Sequence, residues 1–439
     1  MSFEPTFLNK PGGKYDPAGL PHPIPFVTRV RLSNYRSIRA CDVLLGPLTV
    51  LVGPNGSGKS NFLDALAFLG EAVTTSPEQA LESRGGLRGI CSRVPGPTDR
   101  FAISVEAQIP WGPLPGQMPT ARYGFELAAN DAPGERPFVV KREVCRIPWT
   151  RPGSNEQVRR EESFEVCQGN VSREHSPSPL PSTSIQPDRF YLPTASALPS
   201  FAPLYALLSN MAFYNFELGT LQSIQPESMG DRVGRHGEHL GNVLGALAES
   251  RPEAKMRIQE YLGAVTTGLS AFDRRYEGSY VTVEMRADTG TNGRPVAFSA
   301  PEISDGTLHA AGVLVALFQP SVLEGRIPLV GIEEPEVTLH PAAAGVLFDA
   351  MTEASGWVQV MSTSHSGDLL DRDDFPTEAI RAVVSDHGRT VIGPVDEPGR
   401  KTLRDKLFTA GELLRGDQLA PDEEARDLAE ADDFDVFGD

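Results

Sequence analysis

The sequence has few of the features that mark secreted, membrane-spanning or zinc-stabilised proteins. Its four cysteines are scattered over 439 residues, which excludes a disulfide scaffold and a cysteine-based zinc site. No apolar run approaches the roughly 18 residues of a membrane span, and the first residues lack the apolar segment of a signal peptide. We therefore expect a cytoplasmic protein with ordinary thiols and no membrane contact.

A surplus of basic residues is also missing. The formal net charge is −18, so no global basic field is available to hold nucleic acid. Residues 422–439 alone hold nine acidic residues and one arginine, a net charge of −8, which leaves −10 for the rest of the chain. Because blocks of like charge stay hydrated, we predict a solvated acidic tail over 417–439. A DNA contact would need a local patch or a partner.

The strongest motif that is present lies at residues 49–70. An apolar run at 50–52 leads into GPNGSGKSN at 53–61, which fits the phosphate-loop pattern G-x-x-x-x-G-K-[ST] at every fixed position. Apolar residues then recur at helical spacing. Main-chain N–H groups of such a loop bind phosphates, while the lysine reaches the β- and γ-phosphates and the following serine binds Mg²⁺. We predict ATP and Mg²⁺ as cofactors, with nucleotide contacts from Asn55, Gly56, Ser57, Gly58, Lys59, Ser60 and Asn61, and Ser60 also on the metal.

An acidic pair ends a second apolar run, LVGIEE at 329–334. A strand end beside a phosphate loop can direct one carboxylate at the Mg²⁺ shell and the next at the attacking water. We assign Glu333 to the metal and Glu334 to the role of general base.

Three shorter motifs accompany this pair. SDGT at 304–307 opens a helix and offers a serine hydroxyl at a helix N-terminus, which is either an anion site or a plain N-cap. LHP at 339–341 is a turn before the next helix. TSHS at 363–366 ends a strand, and His365 is either a γ-phosphate contact or an ordinary loop histidine.

Taken together, GPNGSGKSN, SDGT, IEEPEVTLHP and TSHS resemble the ABC-type head of the RecF/SMC/OLD group of AAA-like ATPases, where OLD denotes the overcoming-lysogenization-defect nucleases. The resemblance covers residues 27–70 and 300–370. It implies a homodimer in which two heads enclose two ATP molecules. Ser304 and Gly306 would then contact the γ-phosphate bound by the other subunit, His365 would be the switch histidine, and LHP would be the D-loop.

Two further details follow from the same resemblance. NYRS at 34–37 is similar to the family's N-F-R-S segment, which implies that Arg36 lies near the nucleotide. Glu333 stands where the family usually has an aspartate. The Mg²⁺-sensing glutamine of the family is left open between Gln79, Gln108 and Gln117.

The predicted fold is α/β, a P-loop NTPase of the RecF/SMC-head type. We expect a mixed central sheet with helices on both faces, an antiparallel β subdomain and a helical insertion, without a long coiled coil. The predicted segments are an N-terminal arm (1–26), the first part of the head (27–147), a Pro/Ser-rich loop (148–190), the helical insertion (191–275), the second part of the head (276–416) and the acidic tail (417–439).

The leading functional hypothesis is an ATP-hydrolysing dimeric switch that works in phage defence or DNA processing with a separate nuclease. Only 74 residues follow His365, too few for the TOPRIM nuclease domain of OLD proteins, and DRDD at 371–374 is interpreted as a solvated loop. One alternative is a RecF-like DNA-repair clamp without a nuclease. Another is an ABC transporter ATPase, which the absence of an L-S-G-G-Q signature disfavours.

Overall fold

The computed structural model describes residues 24–94, 96, 98–110, 118–130, 136–150, 159–175, 185–228, 230–288, 295–372, 375–431 and 434–438. The strands are β1 (Val27–Tyr35), β2 (Ile38–Leu44), β3 (Leu48–Val52), β4 (Arg100–Gln108), β5 (Thr120–Ala129), β6 (Phe138–Thr150), β7 (Arg159–Cys167), β8 (Asn170–His175), β9 (Ala212–Tyr214), β10 (Gln225–Pro226), β11 (Leu269–Glu277), β12 (Tyr280–Ala287), β13 (Val296–Ser299), β14 (Leu329–Glu333), β15 (Gln359–Ser364), β16 (Ile380–Asp386) and β17 (Arg389–Gly393).

The helices alternate with these strands in the first and last parts of the chain. They are α1 (Lys59–Thr74), α2 (Pro77–Glu82), α3 (Leu87–Ile90), α4 (Leu192–Ala195), α5 (Ala202–Ser209), α6 (Leu218–Gln222), α7 (Leu240–Ser250), α8 (Pro252–Val265), α9 (Asp305–Phe318), α10 (Pro320–Leu323), α11 (Pro341–Ala354), α12 (Glu397–Arg404), α13 (Ala410–Arg415) and α14 (Glu423–Glu430).

The central sheet has the strand order β17-β16-β3-β15-β14-β9, and all neighbours are parallel except the β16–β17 pair. A seven-stranded antiparallel sheet has the order β2-β1-β4-β5-β6-β7-β8. A smaller antiparallel sheet has the order β10-β12-β11, and β13 also pairs with β12. The predicted mixed sheet with an antiparallel subdomain is therefore confirmed. Because parallel strands place their carboxyl ends at one edge, β3, β14 and β15 deliver their following loops to the same place.

Two hydrophobic cores lie on opposite faces of the central sheet. Leu51 packs into the core beneath the antiparallel sheet, whereas Val50 and Val52 pack into the core with α9 and α11. A strand buried on both faces reads as a continuous apolar run, which explains its sequence. Helix α1 fills the space between the two sheets, where the Phe68 and Phe101 rings meet edge-on with centroids 5.4 Å apart.

The apolar segment Asp305–Leu323 is long enough to cross a membrane by length and composition. In the described part of the chain it is the one segment of that kind, and 94% of an 18-residue window within it is buried inside the fold. It comprises α9 and α10, which both pack into the core that contains Val50 and Val52.

The structure corrects three of the predicted segments. The loop prediction for 148–190 is wrong over 159–175, where β7 and β8 form a hairpin because Phe164 and Val166 alternate with charged residues and bury against the sheet. The Pro/Ser-rich residues 176–184 lie outside the described residues, as do residues 1–23 of the predicted arm. The helical insertion also contains β9, an edge strand of the central sheet, and most of β11.

The third correction concerns the acidic tail. Helix α14 packs on β2 and β17, and residues 434–438 lie against the antiparallel sheet. Ala429 and Val436 are buried, with exposures of 2% and 1%. The prediction of a solvated tail is therefore wrong for these residues, because a count of charges overlooks the apolar positions between them.

Candidate nucleotide-binding site

The phosphate loop joins β3 to α1, and two of its glycines are required by close approaches. A Cβ atom on Gly53 would lie 1.9 Å from the carbonyl oxygen of Val383, and one on Gly58 would lie 1.9 Å from Thr390 Oγ1. Gly58 also has φ = 102°, in the left-handed region that favours glycine. The motif is thus held tightly against β16 and β17.

Lys59 is turned into this loop. Its Nζ donates hydrogen bonds to the carbonyl oxygens of Gly53 at 2.8 Å and Pro54 at 2.9 Å, and the residue is only 4% exposed. Burial lowers the pKa of Lys59, and the nearby carboxylates of Glu334 and Glu336 oppose that shift. A buried ammonium held by two carbonyl oxygens suits an anionic ligand at the mouth of the loop.

Ser60 and Glu333 come together across the loop. The Ser60 side chain is hydrogen-bonded to the Glu333 carboxylate; burial raises the pKa of Glu333, while this hydrogen bond and the charge of Arg235 act to lower it. One hydroxyl and one carboxylate are hard oxygen ligands, and Mg²⁺ characteristically takes few protein ligands beside phosphate oxygens and water. The Ser60 hydroxyl and the Glu333 carboxylate therefore fit a nucleotide-bound Mg²⁺.

Glu334 and His365 also meet, although 31 positions separate them. His365 Nδ1 lies 2.9 Å from Glu334 Oε1, and the Glu334 N–H donates to Thr363 Oγ1 at 3.1 Å. The cause is the parallel pairing of β14 and β15, which sets Glu333 beside Thr363. Glu334 has φ = 44°, an unusual backbone angle for a non-glycine residue.

Glu336 is a site residue to which the sequence analysis gave no role. It is 6% exposed, accepts a hydrogen bond from the Ser364 hydroxyl, and its pKa is raised by burial. Its charge and that of Glu334 act on Lys59, so two carboxylates lie near this lysine. The sequence signal was available, since Glu336 ends the EEPE run.

A chain of hydrogen bonds supports the phosphate loop from outside the motif. Asn61 Nδ2 donates to Ser37 Oγ at 2.6 Å, the Ser37 and Thr390 hydroxyls are 2.7 Å apart, and Thr390 Oγ1 donates to the Ser57 carbonyl at 2.8 Å. In this structure the Asn61 side chain therefore binds Ser37 and supports the phosphate loop. Thr390 could not have been identified from the sequence because it lies 333 positions from Ser57.

Arg36 is anchored to the first helix. Its Nη2 lies 2.9 Å from Asp64 Oδ2, and the same carboxylate accepts from Tyr35 OH at 2.8 Å and Arg84 Nε at 2.9 Å. Asp64 is one turn beyond Ser60 on α1. The structure therefore brings Arg36 to the helix that begins at the phosphate loop, and its contact with a nucleotide stays a prediction.

The SDGT segment begins α9. The Ser304 side chain caps the helix by accepting from the Thr307 N–H at 3.3 Å, and a Cβ atom on Gly306 would lie 2.7 Å from the Thr338 carbonyl. Within the described residues, neither Ser304 nor Gly306 hydrogen-bonds to the phosphate loop of its own chain. The segment instead packs on the loop that leads from Glu334 to LHP.

The remaining candidates are the acidic segment DRDD at 371–374 and the three glutamines considered for Mg²⁺ sensing. Asp371 accepts from the Thr409 hydroxyl at 2.7 Å and pairs with Arg415, so its carboxylate serves the fold; Asp373 and Asp374 lie outside the described residues. Gln79 lies on α2 and Gln108 ends β4, while Gln117 is outside the described residues. The Mg²⁺-sensing glutamine is still unassigned.

Comparison with known proteins identifies the family. Residues 48–372 match the family described as "AAA domain, putative AbiEii toxin, Type IV TA system". The chain belongs to this family. The predicted ABC-type ATPase of the RecF and SMC group is thereby confirmed, and the P-loop ATPase fold with it.

Short stretches are similar to curated proteins. The chain is 41% identical over 63 residues to the DNA replication and repair protein RecF of Corynebacterium jeikeium, covering 14% of this chain and 15% of that protein. It is 44% identical over 45 residues to RecF of Vibrio vulnificus, covering 10% and 12%. The chain thus matches about one seventh or less of the length of these relatives.

Solved structures of SMC heads align over most of the chain. The SMC head bound to the C-winged helix domain of ScpA is 12% identical, with coverage of 86% of this chain and 100% of that one and a TM-score of 0.49. The SMC head domain from Thermotoga maritima is 14% identical, with coverage of 84% and 99% and a TM-score of 0.39.

Proposed function

We propose that this protein binds Mg²⁺–ATP and hydrolyses it as a cytoplasmic homodimeric switch. The observation that supports this most directly is the contact of 2.9 Å between Glu334 and His365 at the strand edge that also carries Lys59 and the Ser60–Glu333 pair. A base, a cation and a metal-binding pair then converge on one phosphate position. Phosphoryl transfer to water requires such an arrangement, because an enzyme accelerates this reaction mainly by positioning the reactants and stabilising charge.

Each residue has a distinct task in this mechanism. The main-chain N–H groups of the phosphate loop and the Lys59 ammonium bind the phosphates, with Lys59 leaving the carbonyl oxygens of Gly53 and Pro54. Ser60 and Glu333 would hold Mg²⁺, which neutralises charge on the phosphates. Glu334 accepts the proton of the attacking water, and His365 orients the Glu334 carboxylate.

A shared site explains the position of Ser304. Within the described residues the start of α9 packs on the loop after Glu334 and not on its own phosphate loop, which is compatible with a γ-phosphate bound by a second chain. A helix N-terminus of this kind suits that anion. ATP would thereby hold two heads together until it is hydrolysed.

Glu334→Gln tests this proposal, because an amide cannot accept the proton of water. We expect turnover to fall by about 10²–10⁴-fold, with ATP binding retained and a dimer accumulating in Mg²⁺–ATP. Phosphate release and light scattering after size-exclusion chromatography measure the two effects. Glu397→Gln, on an exposed side chain of α12, is the matched control. Normal turnover by Glu334→Gln would assign the general base to another group.

We further propose that the switch serves phage defence or DNA processing with a nuclease encoded as a separate chain. The toxin–antitoxin description of its family supports the first role. A second candidate is a DNA-repair clamp without a nuclease, which the 63-residue similarity to RecF favours. Plasmid incubated with Mg²⁺ and ATP, with and without the product of the adjacent gene, separates them. Cleavage only with the second protein supports a two-protein system, and cleavage by this chain alone contradicts it.

A further inference from the structure

A basic groove lies on the antiparallel sheet, outside the nucleotide site. Its volume is about 1260 Å³. Five arginines line it, against three carboxylates. The arginines are Arg39, Arg88, Arg93, Arg100 and Arg142, and the carboxylates belong to Asp99, Glu126 and Asp435. In a chain of net charge −18, this local excess of positive charge is of opposite sign to the whole.

The chain's own C-terminal residues form one wall of this groove. The Phe437 ring lies 4.5 Å from the guanidinium of Arg142. The Gly438 carbonyl accepts from Arg31 Nη1 at 2.7 Å and from Arg122 Nη1 at 3.1 Å. Val436 is buried to 1% exposure. These contacts define the chemistry that the surface accepts: a buried small apolar side chain, then an aromatic ring on an arginine, then a main-chain carbonyl on two further arginines.

The contacts of the tail leave cationic groups available in the same groove. Arg93 is exposed, and the side chain of Arg100 is 46% exposed, with its nearest carboxylate oxygen, of Glu126, at 3.7 Å. Within the described residues, the segment 434–438 contacts the sheet through the Phe437 ring, the Gly438 carbonyl and the buried Val436 side chain. A short segment held at the surface in this way can exchange with a competing ligand.

We propose that this groove is a docking site for an acidic, phenylalanine-bearing segment of a partner protein, and that the chain's own tail is its internal competitor. The positive lining selects acidic side chains, and the contacts of Val436 and Phe437 select a small apolar residue followed directly by an aromatic one. A bare phosphate chain would satisfy the arginines but not the buried position of Val436. The observations therefore favour a peptide. This inference does not depend on the proposed ATPase function.

A fluorescent peptide with the sequence of residues 427–438, DLAEADDFDVFG, serves as the probe. Its anisotropy is titrated with the full-length wild-type chain and with the full-length double variant Val436→Asp/Phe437→Ala, whose tail is released. We expect at least tenfold tighter binding by the double variant, since the competitor has been removed. Affinity should also fall as salt is raised.

Substitutions in the tail-released chain locate the site. Arg142→Ala and Arg93→Glu should each weaken peptide binding at least fivefold, whereas the control Arg400→Ala, on α12, should not change it. A peptide with both phenylalanines replaced by alanine should bind at least tenfold more weakly. Thermal melting of each variant establishes that it is folded.

Three results would overturn the proposal. The first is no binding by the tail-released chain, and the second is binding that is insensitive to Arg142→Ala and Arg93→Glu. The third is displacement of the probe by a 12-nucleotide oligothymidylate at lower concentration than by unlabelled peptide, which would assign the groove to nucleic acid. If the double variant does not fold, hydrogen exchange of the wild type decides: saturating peptide should speed exchange at 434–438, and unchanged exchange contradicts the proposal.

Discussion

The edge of the central sheet that carries Lys59, Glu333, Glu334 and Glu336, here called the nucleotide edge, has many charged side chains. So does the outer face of the antiparallel sheet, but the two regions differ in how their charges are paired. On the antiparallel sheet the charges are paired: Arg29 Nη2 lies 2.6 Å from Asp42, and Arg31 Nε lies 3.1 Å from the same carboxylate. Burial acts to raise the pKa of Asp42, yet these hydrogen bonds bring it below its usual value. At the nucleotide edge, Glu333 and Glu336 have raised pKa values because burial outweighs the hydrogen bonds and nearby positive charges that act to lower them.

This difference separates charges that stabilise the fold from charges that await a ligand. Paired groups lower each other's energy and need nothing further, whereas the charged forms of the buried Glu333 and Glu336 carboxyls would be stabilised by a bound metal ion. Raised pKa values of several carboxyl groups at one strand edge therefore indicate a candidate ligand site.

The largest effect is expected where the two chains of a dimer would share the nucleotide site. Ser304→Arg should leave ATP binding unchanged and reduce turnover by about 10²-fold, the usual effect of losing one transition-state contact. The added side chain would occupy the position of the partner's γ-phosphate. Turnover and ATP affinity, measured side by side, separate the two effects.

Mixing provides the control for that variant. Ser304→Arg and Lys59→Ala chains are each expected to be inactive, but a heterodimer pairs the intact phosphate loop of the first with the intact Ser304 of the second. One composite site of two should recover. Full activity of Ser304→Arg alone would mean that the site is not shared.

Lys59→Ala removes the ammonium of the phosphate loop, on which the charges of Glu334 and Glu336 act. Hydrogen bonds to charged groups contribute about 1.5–3 kcal/mol, so ATP affinity should fall by roughly 10–100-fold. Isothermal titration with Mg²⁺–ATP measures it, and Lys255→Ala, whose partner Asp273 lies on β11 at a distance in sequence from the motifs, is the control. Unchanged affinity would contradict the phosphate-loop assignment.

The sequence predicted the nucleotide edge better than the rest because its groups occupy fixed positions after apolar strands. GPNGSGKSN and the Glu333–Glu334 pair needed only local spacing, and the parallel arrangement of β14 and β15 then brought His365 to Glu334. Thr390 had no such signal, since its role arises from the antiparallel return of β17 against the phosphate loop. The docked tail was missed because nine acidic residues concealed the few apolar and aromatic ones that bury.

Thr390→Val tests that hidden support. The valine keeps the shape but cannot donate to the Ser57 carbonyl, and an unsatisfied buried acceptor costs about 1–3 kcal/mol. We expect ATP affinity to fall by about fivefold to tenfold through a looser phosphate loop. Thr390→Ser retains the hydroxyl and should restore most of the affinity. Equal affinities for the valine and serine variants would show that the hydrogen bond does not matter.

Glu143 is an exception on the antiparallel sheet, because its pKa is raised and not lowered. Its buried carboxylate accepts from the Tyr191 N–H at 2.6 Å, the Leu192 N–H at 3.0 Å and Tyr123 OH at 3.0 Å. Burial raises the pKa of Glu143 to about 7, and the three hydrogen bonds only partly oppose this. Its protonated form is favoured in the folded state, so this stabilisation is complete below about pH 4.5 and is lost as the pH rises through 7.

The amide of the Glu143→Gln variant cannot ionise. The free energy of unfolding of this variant should therefore not include this loss of stability as the pH rises. Between pH 6 and pH 8 we expect the wild type to lose about 1 kcal/mol relative to the variant, measured by urea unfolding at each pH. Asp42→Asn is the control: the pKa of Asp42 is lowered, so its carboxylate stays ionised across this window and the difference from the wild type should be constant. Parallel curves for Glu143→Gln and the wild type would show that this carboxylate is ionised in the folded protein throughout, because only a group that changes its protonation between pH 6 and pH 8 can tilt one curve against the other.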